Sequence, residues 1–229
     1  MGDLVGDPVA DLVREQVAAA ARRLAAEGLL IGTAGNVSAR DGDRVAITGT
    51  GVVLADCTAD DVTVVSLAGD VLAGALVPSS ELGLHLGVYD GTGAAAVVHT
   101  HAPYSTAVAC VLVELPVLHY QQLLLGGTIR VAPYQTYGTP ELAASALTAL
   151  EDRQAALLGN HGSVAVGSSL AKAVDNALLL EWLAALHHRA SALGTPRELT
   201  EEQQVAVITQ ALNTRYGTTQ ETAPMKEGP

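Results

Sequence analysis

His99-Thr100-His101 ends the run Ala-Ala-Ala-Val-Val-His-Thr-His. The small and β-branched residues before it read as a buried strand, and residues two apart on a strand point to the same side. Two imidazoles are thereby placed together, as at the start of a metal site. A third histidine, His161, stands in Gly-Asn-His-Gly, and a carboxylate, Glu81, in Pro-Ser-Ser-Glu. Three histidines and one carboxylate around an open position would describe a catalytic zinc. The plainer alternative is a strand whose solvent end carries two polar residues.

Three donor-rich turns accompany these residues. Gly32-Thr33-Ala34-Gly35-Asn36-Val37-Ser38 lets backbone approach an anion closely and adds side-chain donors, although no Gly-Lys-Ser/Thr follows to make a nucleotide loop. Ile47-Thr48-Gly49-Thr50-Gly51 is a second turn, and Ser79-Ser80 a third, at a helix start whose free amides favour phosphate. An ordinary N-cap is the competing role for Ser79. His85 shares a helix face with Glu81 and reads as a supporting or structural residue rather than a ligand. His187 and His188 read as surface residues. Tyr120, beside His119, is either a general acid or packing.

The composition narrows the chemistry. Only Lys172 and Lys226 are available, neither placed for a Schiff base, so a metal is the better electron sink for a carbanion. Net charge is −12, which argues against nucleic acid or an anionic membrane as partner but leaves a phosphorylated substrate open. Cys57 and Cys110 are isolated, which suits a reducing compartment. No signal-peptide pattern or bilayer-length apolar run is present, and the expected location is cytoplasmic. With 49% hydrophobic residues but no Phe, the core must consist of Ala, Val and Leu.

The elements that position these residues follow from periodicity and turn residues. The pattern predicts a helix over 9–27, a β-rich stretch over 34–76, and a helix opened by Ser79-Ser80-Glu81 and closing near Asp90. A strand over 94–100 precedes a helix beginning at Pro103, and a short strand over 128–132 precedes a helix capped by Thr139. Strands 155–158 and 163–166 flank the turn that carries His161. Helices over 169–193 and 200–213 follow, with 217–229 expected as a loose tail. The expected architecture is α/β: one domain over 1–229, with a mixed sheet between helices.

Taken in order, these motifs resemble the class II aldolase/adducin family, and within it the fuculose-phosphate aldolases. The similarity runs from Gly32 to Gly217 and includes Val-Val-His-Thr-His-Ala, His-Tyr at 119–120, Tyr-Gly-Thr-Pro-Glu-Leu at 137–142 and Asn-His-Gly. The resemblance implies a three-layer sandwich with a mainly antiparallel sheet. It implies zinc held by His99, His101, His161 and Glu81, and substrate phosphate bound at Gly35, Asn36, Thr50, Gly51, Ser79 and Ser80. Tyr120 matches a tyrosine that reaches the site from a neighbouring subunit of a homotetramer. Tyr137 and Tyr216 match the aldehyde end of the pocket, the first being more often Phe in the family. The implied reaction is reversible cleavage of a ketose 1-phosphate to dihydroxyacetone phosphate and an aldehyde, with Glu81 and Tyr120 moving protons.

Within the same fold, ribulose-phosphate 4-epimerases resemble this chain but carry Asp in place of Glu81 and a further Asp after the His-x-His helix. Residues 115–127 contain no Asp. Sugar-phosphate dehydratases carry a Glu near this segment, where Gln121 and Gln122 stand. An adducin-like binding module would lack the zinc histidines, all of which are present. Gly49 replaces a common Pro and Asn160 a second His; neither removes a catalytic group.

Overall fold

The computed structural model describes residues 8–217. Helix α1 (Pro8–Ala26) leads into β1 (Asn36–Asp41), β2 (Arg44–Thr48), β3 (Val62–Ser66) and β4 (Val71–Ala73). Helix α2 (Leu82–Gly91) connects to β5 (Ala96–Thr100), α3 (Pro103–Ala109), β6 (Glu114–Leu115) and β7 (Ile129–Ala132). Then follow α4 (Pro140–Leu150), β8 (Ala155–Leu158), β9 (Gly162–Gly167), α5 (Leu170–Leu193) and α6 (Glu201–Thr214). The expected tail lies outside the described residues, apart from Gly217. Among the described residues no helix is long and apolar enough to cross a membrane.

The strands form one sheet in the order β4-β3-β2-β1-β5-β9-β8-β7-β6, antiparallel at every pairing except β7 with β8. The strand pleat sorts its apolar residues onto two faces. Ala96, Val98, Ala46, Leu157 and Ala165 pack with α1, α3 and α5, whereas Val97, Val45, Ala156, Leu158 and Val164 pack with α2 and α4. The result is the expected helix–sheet–helix sandwich. Thr139 caps α4 by accepting from the Leu142 amide, as its sequence position predicts.

Within the stretch read as β-rich, residues 54–61 instead form two 3-10 turns. The Asp61 carboxylate accepts from both the amide and the hydroxyl of Thr58, a local bond set that competes with strand pairing. A third 3-10 turn occupies Tyr120–Leu125, and β6 is a two-residue strand that periodicity cannot reveal.

Gly35 joins the first donor-rich turn to β1 at φ 90°, and a Cβ there would sit 2.8 Å from the His99 carbonyl oxygen. Both the backbone conformation and the contact demand glycine. Gly35→Ala is expected to lower unfolding free energy by more than about 2 kcal/mol, read from urea midpoints; a loss within experimental error would refute this cradle.

Candidate metal centre

Three separate elements deliver the site. Strand β5 carries His99 one residue before its end at Thr100, and the chain places His101 just beyond it. Strand β1 places Asn36 directly opposite His99, and β9 places Val164 on its other side. The β8–β9 turn carries His161, with Asn160 at φ 53°, a left-handed conformation that Asn tolerates. At Gly162 a Cβ would run into the Thr100 carbonyl, so glycine lets this turn lie against β5. Glu81 stands at the N-terminus of α2.

The three imidazoles form a near-symmetrical cup, each pair of ring centroids 4.9 Å apart. His99 Nε2 lies 3.0 Å from His101 Nε2 and 3.0 Å from Glu81 Oε2, while His161 Nε2 lies 3.4 Å from Glu81 Oε1. A tetrahedral zinc with bonds near 2.05 Å places its ligand atoms about 3.3 Å apart. His99 Nδ1 donates to the Ser163 carbonyl at 2.8 Å, which turns the Nε2 lone pair inward, as on a metal ligand. Glu81 Oε1 is buried and receives no hydrogen bond. Convergent lone pairs, a carboxylate and an unsatisfied buried oxygen together fit a divalent cation.

The electrostatics agree. Burial pushes the His101 imidazole down to about 4, assisted by His99 and His161, and burial also lowers His161. Both are therefore neutral ligands at ordinary pH. Burial alone would raise the Glu81 carboxyl, but bonding and positive charge on the His99 side of the cup, where a bound cation would supply the charge instead, together with the Asn36 bond, hold it down at about 2.

Beside the cup opens a cavity of about 360 Å³. The sequence-predicted Gly35, Asn36, Thr50, Gly51, Ser79 and Ser80 all line it, with Glu81, His101, His161 and Tyr137. The turns are fixed by backbone bonds: the Thr50 amide donates to Val77 and the Ser79 amide to Thr48. Ser79 does not cap α2 as a simple N-cap; its hydroxyl accepts from the Glu81 amide at 3.2 Å. Asn36 is already engaged, donating through Nδ2 to Glu81 Oε2 at 3.1 Å. Tyr120 and Tyr216 do not line this cavity; their hydroxyls meet each other 3.1 Å apart on the surface. His187 is half-buried, and His188 is exposed, as the surface reading expects, with its ring against Tyr104.

One pair of residues escaped sequence reading, and one reading, His85 as a support rather than a ligand, is extended by its partners. Tyr134 and Gln135 line the cavity from the loop after β7, and no spacing signals them. A buried polar chain also runs behind the site. His85 Nε2 meets Asn36 Oδ1, His85 Nδ1 lies 2.7 Å from Ser38 Oγ, and Ser38 Oγ lies 2.7 Å from the Tyr89 hydroxyl. Its signal was present, since Glu81, His85 and Tyr89 recur every fourth residue on α2.

Fold and site together define a metal-site α/β protein, and comparison with known proteins gives the family. The model for the class II aldolase and adducin N-terminal domain matches residues 15–188, and the chain belongs to that family. It is 36% identical over 193 residues to the 5-deoxy-D-ribulose 1-phosphate aldolase of Bacillus thuringiensis serovar kurstaki, covering 83% of this chain and 91% of that protein. It is 38% identical over 192 residues to the L-fuculose phosphate aldolase of Escherichia coli K12, covering 83% and 88%. A solved L-fuculose 1-phosphate aldolase superposes with a TM-score of 0.82 at 34% identity, covering 86% of this chain and 95% of that one.

His85 is fully buried, and burial pushes its imidazole down to about 3. Because this lies below the unfolded value near 6.5, the stability contributed by neutral His85 is present above pH 6.5. It is lost as pH falls toward 3. Between pH 6 and 4 this one group is expected to cost about 1.4 kcal/mol per pH unit. Urea midpoints of metal-free wild type and His85→Gln should show a shallower acid loss in the variant; equal slopes would refute the assignment.

Proposed function

We propose that this chain is a zinc-dependent aldolase that reversibly cleaves a ketose 1-phosphate to dihydroxyacetone phosphate and an aldehyde. The observation that carries the reading is the adjacency of Glu81, as part of a His3Glu cluster, to a cavity rich in hydroxyl and backbone donors. The relatives' names support a 5-deoxypentulose 1-phosphate or fuculose 1-phosphate as substrate. Among the described residues the one lysine, Lys172, lies in the first turn of α5 and does not line the cavity; Lys226 falls outside the described residues.

His99, His101 and His161 would hold a zinc ion, which would supply Lewis-acid stabilisation for charge on the ketone-derived fragment. Gly35, Thr50, Gly51, Ser79 and Ser80 grip the phosphate and fix the substrate's orientation. Glu81, freed from the cluster, exchanges a proton with the carbon beside the carbonyl, where a carboxylate released from cationic partners is more basic. Tyr120 exchanges the proton on the oxygen that becomes the aldehyde, and Tyr137 and Tyr216 border the aldehyde end.

Tyr120 serves the site of a neighbouring subunit in a homotetramer. Its absence from its own chain's cavity supports this reading. So does α6, which has no buried residue and exposes Val205, Ile208 and Leu212 along one stripe. We read residues 1–229 as one domain and the location as cytoplasmic, in keeping with two free cysteines.

Purified protein is expected to carry about one zinc per chain, and a chelator to abolish release of dihydroxyacetone phosphate across a panel of ketose 1-phosphates. Full activity in metal-free protein would refute the reading. Zinc-loaded Glu81→Gln is expected to lose at least about 100-fold in turnover; near-normal turnover would remove Glu81 as the proton carrier. Mixing the separately inactive Tyr120→Phe and His161→Ala chains, with subunit exchange, is expected to restore part of the activity. No recovery would place Tyr120 in its own subunit's site.

A further inference from the structure

The polar chain behind the cup has a direction, and Glu81 sets it. A carboxylate oxygen only accepts, so Asn36 must turn its Nδ2 toward Glu81 Oε2 and its Oδ1 away. The group facing Oδ1 is His85 Nε2, which must therefore carry the ring proton. His85 Nδ1 is then a lone pair that accepts from the Ser38 hydroxyl, and Ser38 Oγ accepts from Tyr89. Each link is satisfied in this one polarity. The inverted amide would set Oδ1 against the carboxylate and N–H2 where a protonated ring nitrogen stands. His85 is 0% exposed and Asn36 3%, so water offers neither one a substitute partner.

We infer that His85 is a positioning residue for the proposed reaction, acting through Asn36. It does not line the cavity and is not one of the four cluster residues, so it touches neither substrate nor metal. Its N–H locks the Asn36 amide so that the donor end faces the site throughout the cycle. With Glu81 in the cluster, that donor holds Oε2. When Glu81 departs to carry its proton, the same N–H2, on a residue that lines the cavity with Ser79 and Gly35, is released to receive a substrate oxygen. The exchange leaves no buried donor unpaired in either state. The lock has a structural origin: Asn36 and Ser38 are two apart on β1, and Glu81, His85 and Tyr89 are four apart on α2, so strand and helix periods meet along one seam.

This inference rests on the aldolase reading for its kinetic test, so a second measurement independent of turnover accompanies it. His85→Leu is expected to lower kcat/KM about 10- to 100-fold with zinc content unchanged, as found when groups orienting a metal site are removed. His85→Gln, whose amide keeps an N–H within reach of Asn36 Oδ1, is expected to recover most of the loss. Adding His85→Leu to Asn36→Ala is expected to change kcat/KM less than about twofold, because the residue it positions is gone. Additive losses, or equal activity in the Leu and Gln variants, would overturn the proposal. If the Leu variant does not fold, His85→Asn, whose shorter amide falls short of Asn36, takes its place with the same expectations.

Independently, solvent exchange of the Asn36 side-chain N–H2, followed by nitrogen-15 NMR, is expected to accelerate at least about tenfold in His85→Leu and to stay slow in His85→Gln. Unchanged exchange in His85→Leu would overturn the lock. A wild type inactive on every ketose phosphate, with exchange behaving as expected, would overturn the aldolase reading and leave the lock standing.

Discussion

Glu81 Oε2 lies 3.0 Å from His99 Nε2 in a setting where both groups are buried. Placing a carboxylate and three inward-turned imidazoles around one point removes them from water at considerable cost. That cost is offset only when a positive charge or shared proton occupies the centre and each outer polar atom has its own partner. The surrounding structure follows from this requirement. Ser163 takes the outer proton of His99, Asn36 takes one oxygen of Glu81, and His85 takes the far end of Asn36. The buried polar network continues until it reaches the Tyr89 hydroxyl.

The middle of the sheet holds these groups, on strands with a hydrogen-bonded neighbour on each side. Strands β1, β5 and β9 lie side by side, paired on both edges. Two glycines let them carry the site at close range: Gly35 against the His99 carbonyl, and Gly162 against that of Thr100. A core without Phe suits this geometry. Ala173, Ala177 and Ala184 allow α5 to lie close to the sheet, and Asn176 reaches across to bond the Val166 carbonyl. Small side chains transmit backbone position directly into the position of the histidines.

Acidic surface and phosphate chemistry coexist because the binding is local. A net charge of −12 repels anions at a distance, but in the proposed reading hydroxyls and amides at the head of α2 and in two loop turns would act on the phosphate at contact. Although Phe, Trp and Tyr make up only 3% of the chain, Tyr120, Tyr216 and Trp182 gather around His119 on one patch of surface, outside their own chain's cavity.

The motifs that do chemistry were legible in sequence because their signals are local. A His-x-His at a strand end, a glycine turn and a Pro-Ser-Ser-Glu helix start all report through spacing alone, and the sheet and its flanking helices report through periodicity. The 3-10 turns at 54–61 were not legible, because one Asp61 side chain captures a backbone that otherwise reads as strand. Gln135 gave no signal at all, since a loop residue reaches a cavity only through the path of the chain. By itself the sequence determined which side chains could bind metal and phosphate, and which faces they occupy. Only the tertiary structure decided that Asn36 serves Glu81, that His85 aims Asn36, and that Tyr120 faces away from its own site. Those choices depend on distances across strands and helices far apart in the chain, which spacing along it does not encode.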